Sequence, residues 1–227
     1  GAERFLSEAE RILGRRPRVI AGDEEAELTF HGALSGLDVQ GELLVFDIGG
    51  GSTELILGRA GGEIAQRVSL DIGSVRLFER HVRSDPPSPS ELAAIEKDVT
   101  DQLETWSWGF APSDRGLSVK NAPVTLVGVA GTVTTLKAVE LGLTPYDGAR
   151  VHGAALTLSA VEAWCAKLAS LPQAKRQALP GLEPKRADVI VAGALIVQGV
   201  LRAAKAAKML VSDRGVRFGL LEALLRA

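Results

Sequence analysis

The stretch "LVFDIGGGSTELILG" (44–58) constrains this chain more than any other. An apolar run ends in an acid, passes three glycines, a serine and a threonine, and turns apolar again. A plain hairpin needs only a short turn. This one carries more backbone freedom and more hydrogen-bonding groups than a turn requires. Gly49, Gly50 and Gly51 let backbone N–H groups converge with no Cβ in the way. Such a nest binds an anion, usually phosphate, and Ser52 and Thr53 add hydroxyl donors. Asp47 stands where the strand ends. An acid aimed at a phosphate repels it unless a cation lies between them, so Asp47 suggests Mg²⁺ held by a carboxylate, with phosphate on its far side. A P-loop is excluded, because no lysine follows the glycines. A dinucleotide fingerprint is excluded too, because a strand rather than a helix comes next. A glycine-rich hairpin with a capping Asp remains the plain alternative.

"VGVAGTVTTL" (127–136) is a second glycine loop. Gly128, Gly131 and Thr132 join a buried strand to a helix N-terminus, where free N–H groups and the helix dipole favour an anion. An ordinary tight strand–helix turn is the plain alternative. Two such loops imply a substrate with several phosphates, or a phosphate plus a nucleotide. In "GDEEAEL" (22–28), Glu24 and Glu25 fall in the first turn of a helix, where negative charge is stabilising. That suffices for Glu24. Glu25 lies beside Ala26, a core-facing position, and a carboxylate at a domain seam can accept a proton from an attacking water.

Composition narrows the classes. A 46% hydrophobic and 24% charged chain of 227 residues has ample material for a buried core. A formal charge of −2 gives no reason to expect a nucleic-acid or anionic-membrane partner. The longest candidate apolar run, "VIVAGALIVQGVL" (189–201), is too short for an ordinary membrane span. Cys165 is the only cysteine, which excludes an internal disulfide or a Cys-rich metal site and points to a reducing, cytoplasmic location. It is expected in the core of an amphipathic helix. Gly1 stands in place of Met before a helix already under way, which suggests a fragment or a processed chain.

Hydrophobic periodicity and breakers predict the elements. A first helix leads to a strand at 17–22 and a helix at 23–34. Three strands in "ELLVFDI", "TELILGR" and "EIAQRVSL" form a meander, followed by a helix at 74–82. Ser88, Pro89 and Glu91 predict a capped helix running to Trp106. A buried strand (122–131) and a helix (132–141) follow, then a long loop (144–153) and a helix capped by Ser159 and Glu162. A long buried helix (185–206), a last strand in "MLVSD" and a last helix complete the chain. The order predicts a mixed five-stranded sheet flanked by helices, an α/β fold. Trp106 and Trp108 are read as packing residues, and Asp213 as a helix cap or a cleft residue. His31, His81 and His152 show no metal spacing.

"GDEEAELTF", "VFDIGGGSTELILG", "LVGVAGTVTTL", "KRADVIVAGALIV" and "VSDRGVRFGLL" together resemble the exopolyphosphatase / guanosine pentaphosphate phosphatase (Ppx/GppA) family. That family has the actin-like ATPase, ribonuclease H-like superfold. The resemblance runs in order from near residue 1 to near 227. It implies Mg²⁺-dependent hydrolysis of terminal phosphoanhydride bonds in inorganic polyphosphate or guanosine pentaphosphate. It maps the catalytic base onto Glu25 and the metal-holding acid onto Asp47. The phosphate loops fall at Gly49–Thr53 and Gly128–Thr132. Arg186 matches a position linked to guanosine-tetraphosphate binding, and Glu54 sits where it can order metal waters. A helix-surface charge and a strand-edge acid are the plain readings of those two. The family also tends towards homodimers. One departure is large: members carry a first phosphate hairpin near the N-terminus, and this sequence lacks it. Residues 1–38 resemble the tail of the first lobe and 39–227 the second lobe. A binding or regulatory lobe without turnover, and an ATP-using kinase or ATPase of the same superfold, are the competing functions.

Overall fold

The computed structural model describes residues 2–106 and 124–226. Trp108 lies outside them. Helices α1 (Ala2–Leu13) and α2 (Gly22–Leu34) precede a meander of β1 (Glu42–Ile48), β2 (Thr53–Arg59) and β3 (Ile64–Leu70). Helices α3 (Ser74–His81) and α4 (Pro89–Thr105) follow, then β4 (Thr125–Val129), α5 (Ala130–Glu140) and the short α6 (Gly148–Val151). The remainder is β5 (Ala155–Thr157), α7 (Leu158–Ser170), α8 (Gln173–Gln177), α9 (Ile190–Ala203), β6 (Lys208–Val211) and α10 (Val216–Arg226).

The sheet has six strands in the order β3-β2-β1-β4-β6-β5. Strands β1, β4 and β6 are parallel neighbours, and β2, β3 and β5 are antiparallel to theirs. The expected five strands become six because β5 is only three residues long, too short to show a period. The strand expected at 17–22 is absent. Gly22 opens α2, and the segment before it has no ladder partner among the described residues, with Val19 largely exposed. The long helix expected at 185–206 is a 3₁₀ turn (Pro184–Arg186) followed by α9. The loop at 144–153 contains α6, capped by Asp147, whose carboxylate accepts from the Ala149 N–H.

Capping explains the helix starts. At α4 the predicted box is present: the Ser88 side chain accepts from Glu91 N–H, and the Glu91 carboxylate accepts from Ser88 N–H at 2.7 Å. At α7 the cap is Thr157 rather than Ser159. The last residue of β5 is already extended, and its hydroxyl accepts from Ala160 N–H at 3.1 Å. Glu162 pairs with Arg202 instead.

The sheet carries cores on both faces. The larger gathers Phe46, Leu55, Leu77, Ile95 and Leu136 with the almost wholly buried α9; Trp106 and Cys165 also belong to it. Burial pushes the Cys165 thiol up to about 12, which leaves it inert. The smaller core sets Ala26, Phe30 and Ala33 of α2 on Leu43, Val45, Ile56 and Val127. Helix α10 folds back onto α2, and small residues let the two backbones touch. A Cβ at Gly219 would land on the Leu28 carbonyl, and one at Gly32 on the Gly215 carbonyl.

That crossing fixes where α2 lies, and with it Glu25. Gly219→Ala is expected to lower the thermal midpoint in calorimetry, at a cost of about 1–3 kcal/mol. Gly215→Ala, which meets nothing within 4 Å, serves as the neutral control. Equal midpoints for the two variants would refute the contact.

Candidate functional site

The site lies where β1 and β2 meet the N-terminal turn of α2. A cavity of about 450 Å³ is lined there by Glu25, Ala26 and Thr29 from α2, Asp47, Gly49 and Ser52 from the β1–β2 hairpin, and Glu54, Arg67 and Ser69 from the following strands. Cross-strand register brings Asp47, Glu54 and Ser69 onto one rung, and residues directly opposite in a ladder point to the same face.

The glycine loop is held by its carbonyls. Gly49 O accepts from Ser74 N–H at 3.0 Å, and Gly50 O accepts from Val75 and Arg76 N–H at 3.0 and 2.9 Å. Gly51 O accepts from Arg76 Nε at 2.6 Å. The opening amides of α3, which no intrahelical bond can satisfy, therefore take up the loop's acceptors. Among the described residues no bond engages the amides of Gly50, Gly51 or Ser52, which remain as donors. None of the three glycines lies in the left-handed region. Their smallness serves packing instead: a Cβ on Gly50 would sit 3.2 Å from Val75, and one on Gly49 would sit 3.2 Å from Ser52 O. Gly73 beside the loop admits no side chain, because a Cβ there would strike the Gly50 and Gly51 backbone. Sequence reading missed it, although it stands between a strand and a helix that follows the loop in the chain.

The other sequence-predicted residues divide. Ser52 Oγ and Ser69 Oγ donate to the same Glu54 oxygen at 2.7 and 2.8 Å, which fixes that carboxylate. Thr53 corrects the expectation of a phosphate contact. It is fully buried, and its hydroxyl donates to Ile72 O at 2.6 Å, tying the hairpin to the chain entering α3. Thr132 is likewise buried, against Gly193 of α9. Gly128 lies inside β4 under Phe46 and Val133. Parallel pairing places this second loop beside the first, with Asp47 opposite Val129, yet it does not line the cavity. Helix α5 starts without a side-chain cap, Ala130 adopts a left-handed φ of 67°, and the Arg186 guanidinium lies over Gly131. Arg186 also borders a separate cavity of about 770 Å³ with Thr134 and Tyr146. Its turn is steadied by the buried Arg176, which donates from Nε to Ala187 O at 2.6 Å. Glu24 pairs with exposed Arg18. His152 donates from Nε2 to Ser35 O at 2.9 Å, and its Nδ1 meets Ser212 Oγ at 3.3 Å with Asp213 3.2 Å away, so Asp213 lies in this structural contact.

Electrostatics single out Asp47. Burial, reinforced by the charges of Glu54 and Glu25, pushes its carboxyl up to about 6. Among the described residues no hydrogen bond or ion pair engages it, and the one basic lining side chain, Arg67, pairs with Asp23. No group of three or more His, Cys, Asp or Glu among the described residues forms a ready metal cage. Mg²⁺ does not require one, since it is commonly bound by one or two carboxylates together with waters and substrate phosphates. A partly buried carboxylate among like charges, with no cation beside it, fits that mode. No helix of the described residues is long and apolar enough to cross a membrane.

A family model described as the Ppx/GppA phosphatase family matches residues 1–227. Exopolyphosphatase 2 of Mycobacterium tuberculosis is 39% identical over 192 residues, which are 84% of this chain and 57% of that protein. The chain thus spans little more than half the length of this relative. The Aquifex aeolicus PPX-GPPA enzyme superposes with a TM-score of 0.84 at 33% identity, over 98% of this chain and 70% of its own. The crystal structure of an exopolyphosphatase-like protein gives 0.84 at 35%, over 99% and 73%. The fold is accordingly that of actin-like ATPases.

Two outcomes follow from this geometry. Gly73→Ala displaces the loop and lowers the thermal midpoint, whereas Gly51→Ala, whose Cβ would make only an ordinary contact at 3.6 Å, leaves it nearly unchanged. The reverse order would contradict the stacking. For Asp47 the folded value of about 6 lies above the ordinary 3.8. Folding therefore favours the protonated acid, and stability falls as pH rises from about 4 to about 6. Above that window the charged group costs roughly 3 kcal/mol. Asp47→Asn should melt higher than the parent at pH 8 in chelator, by a margin that shrinks at pH 5. A lower melting variant at pH 8 would contradict it.

Proposed function

Because the chain belongs to the Ppx/GppA phosphatase family, we propose that it carries the catalytic half of a Mg²⁺-dependent hydrolase acting on terminal phosphoanhydride bonds. Inorganic polyphosphate and guanosine pentaphosphate are the substrates proposed. One observation carries this reading. The Glu25 carboxylate shares a cavity with Asp47 and with Gly49 and Ser52 of the hairpin, while Gly50 and Gly51 border a second hollow with Val75 and Arg76, and no hydrogen bond or ion pair engages that carboxylate among the described residues. An exposed, unengaged carboxylate is suited to take a proton.

In the proposed reaction the terminal phosphate lies against the free amides of Gly50, Gly51 and Ser52. Their loop is already held through its carbonyls by the start of α3, so stabilising the charge of the transferred group requires little reorganisation. Glu25 orients a water and accepts its proton as the water oxygen bonds to phosphorus. The bridging P–O bond breaks, and orthophosphate and a chain one phosphate shorter separate. Bound through Asp47, with Glu54 ordering its waters, Mg²⁺ would neutralise phosphate oxygens. Positioning and electrostatics carry most of such a step. A carboxylate base can serve water or a hydroxyl as nucleophile, and it is the membership of a phosphatase family that favours a hydrolase over a kinase.

The reading extends to the whole enzyme as a two-lobed protein. Residues 1–38 go with the first lobe and the elements from β1 to β6 with the second. Since α10 packs on α2, α10 is proposed to travel with the first lobe as well. Exposed Leu221, Leu224 and Leu225 on α10, and Phe5 and Ile12 on α1, support a covering partner there.

Glu25→Gln is expected to reduce phosphate release from polyphosphate by about 10²–10⁴-fold, with oligophosphate binding retained. The check is a steady-state assay on a form containing both lobes, with calorimetric binding alongside. Near-normal release by Glu25→Gln would refute the assignment of the base. Binding without release by the parent would instead support a regulatory lobe.

A further inference from the structure

The cavity's charge balance leaves one side chain without a role. Glu25, Asp47 and Glu54 face it, and Arg67 is the single basic residue among the described lining residues. Arg67 lies on the rung with Val45 and Ile56, while Ser69 lies on the rung with Asp47 and Glu54. Residues two apart on a strand share a face, so the guanidinium and the acids project from the same side of the sheet. The two rungs are about 7 Å apart along the strand, and β3 lies about 10 Å across from β1. Arg67 is therefore offset from Asp47 by one such rung and two strands, a separation that suits a second phosphate rather than one held at Asp47.

Its present partner is weakly held. Asp23 is 81% exposed and Arg67 42% exposed, and solvent-screened pairs of this kind contribute little. Gly22 leaves the guanidinium room, with a virtual Cβ 3.3 Å from one terminal nitrogen. An inner phosphate of an oligophosphate offers the planar fork two non-bridging oxygens that share one charge, whereas Asp23 meets the guanidinium through a single oxygen.

We propose that Arg67 is a substrate-binding residue, which exchanges Asp23 for an inner phosphate of a linear oligophosphate whose terminal phosphate lies at Asp47 and the glycine hairpin. The proposal rests on the hydrolase reading of this cavity and deepens it, since Arg67 selects for chain length and its neighbours act on the chain end.

The test is calorimetric titration of the chain, in a Glu25→Gln background that blocks turnover and with saturating Mg²⁺, against orthophosphate, pyrophosphate and tripolyphosphate. Arg67→Ala should weaken tripolyphosphate binding about tenfold or more and leave orthophosphate binding nearly unchanged. Arg67→Lys should recover part of the loss. Asp23→Asn, which frees the guanidinium, should bind tripolyphosphate at least as tightly as the parent. Tripolyphosphate binding unchanged by Arg67→Ala, with orthophosphate still bound, would overturn the role of Arg67 and leave the site intact. Equal losses in Arg67→Ala and Asp23→Asn would show a structural latch and overturn it too. A parent that binds none of the three phosphates would overturn the reading of the cavity along with it.

Discussion

The site depends on one exchange of hydrogen bonds, between the carbonyls of the glycine hairpin and the first amides of α3. A helix leaves its opening N–H groups without intrahelical partners. Here Ser74, Val75 and Arg76 direct theirs to Gly49 and Gly50, and Arg76 adds its side chain to Gly51. With its acceptors engaged on one side, the hairpin keeps its own amides as donors for another group. Gly73 is the condition for this contact, because any side chain there would occupy the backbone of Gly50 and Gly51. The polarity of the loop is thus fixed by folding, before any ligand arrives.

The second constraint is electrostatic. The fold holds Asp47 partly buried, with Glu54 on the neighbouring strand and Glu25 on the helix above, and Asp47 retains its proton to about pH 6. A structure optimised only for stability would place a basic residue against it. Strain of this kind is concentrated at functional sites, where stability is given up for chemistry. The left-handed backbone of Ala130, in the loop beside it, is a second instance.

Much of this was legible in the sequence, for physical reasons. The meander, the Ser88–Glu91 box and the buried α9 follow from local patterns that tertiary structure did not override. Glu25, Asp47 and Glu54 line one cavity, and it was the family resemblance, not their spacing, that grouped them in the sequence. What stayed hidden depended on distant contacts. β5 is a strand only because β6 offers it an edge, and residues 17–21 have no such edge among the described residues. Thr53 and Thr132 look like phosphate donors in a motif, but ladder and helix packing turn them into the core. Arg67 and Gly73 lie outside the motifs that first drew attention, on elements brought to the hairpin by register and by the turn into α3. A glycine opening the helix after the third strand was the available signal for Gly73, and a basic residue two positions before Ser69 was the one for Arg67.

The central claim is that the hairpin amides are the phosphate donors. The most direct measurement is an amide chemical-shift titration of the isotope-labelled chain with Mg²⁺ and methylenediphosphonate, a non-hydrolysable pyrophosphate mimic. The account predicts saturable downfield shifts at the N–H groups of Gly50, Gly51 and Ser52. Shifts confined to Gly131 and the start of α5, with those three amides unmoved, would contradict it.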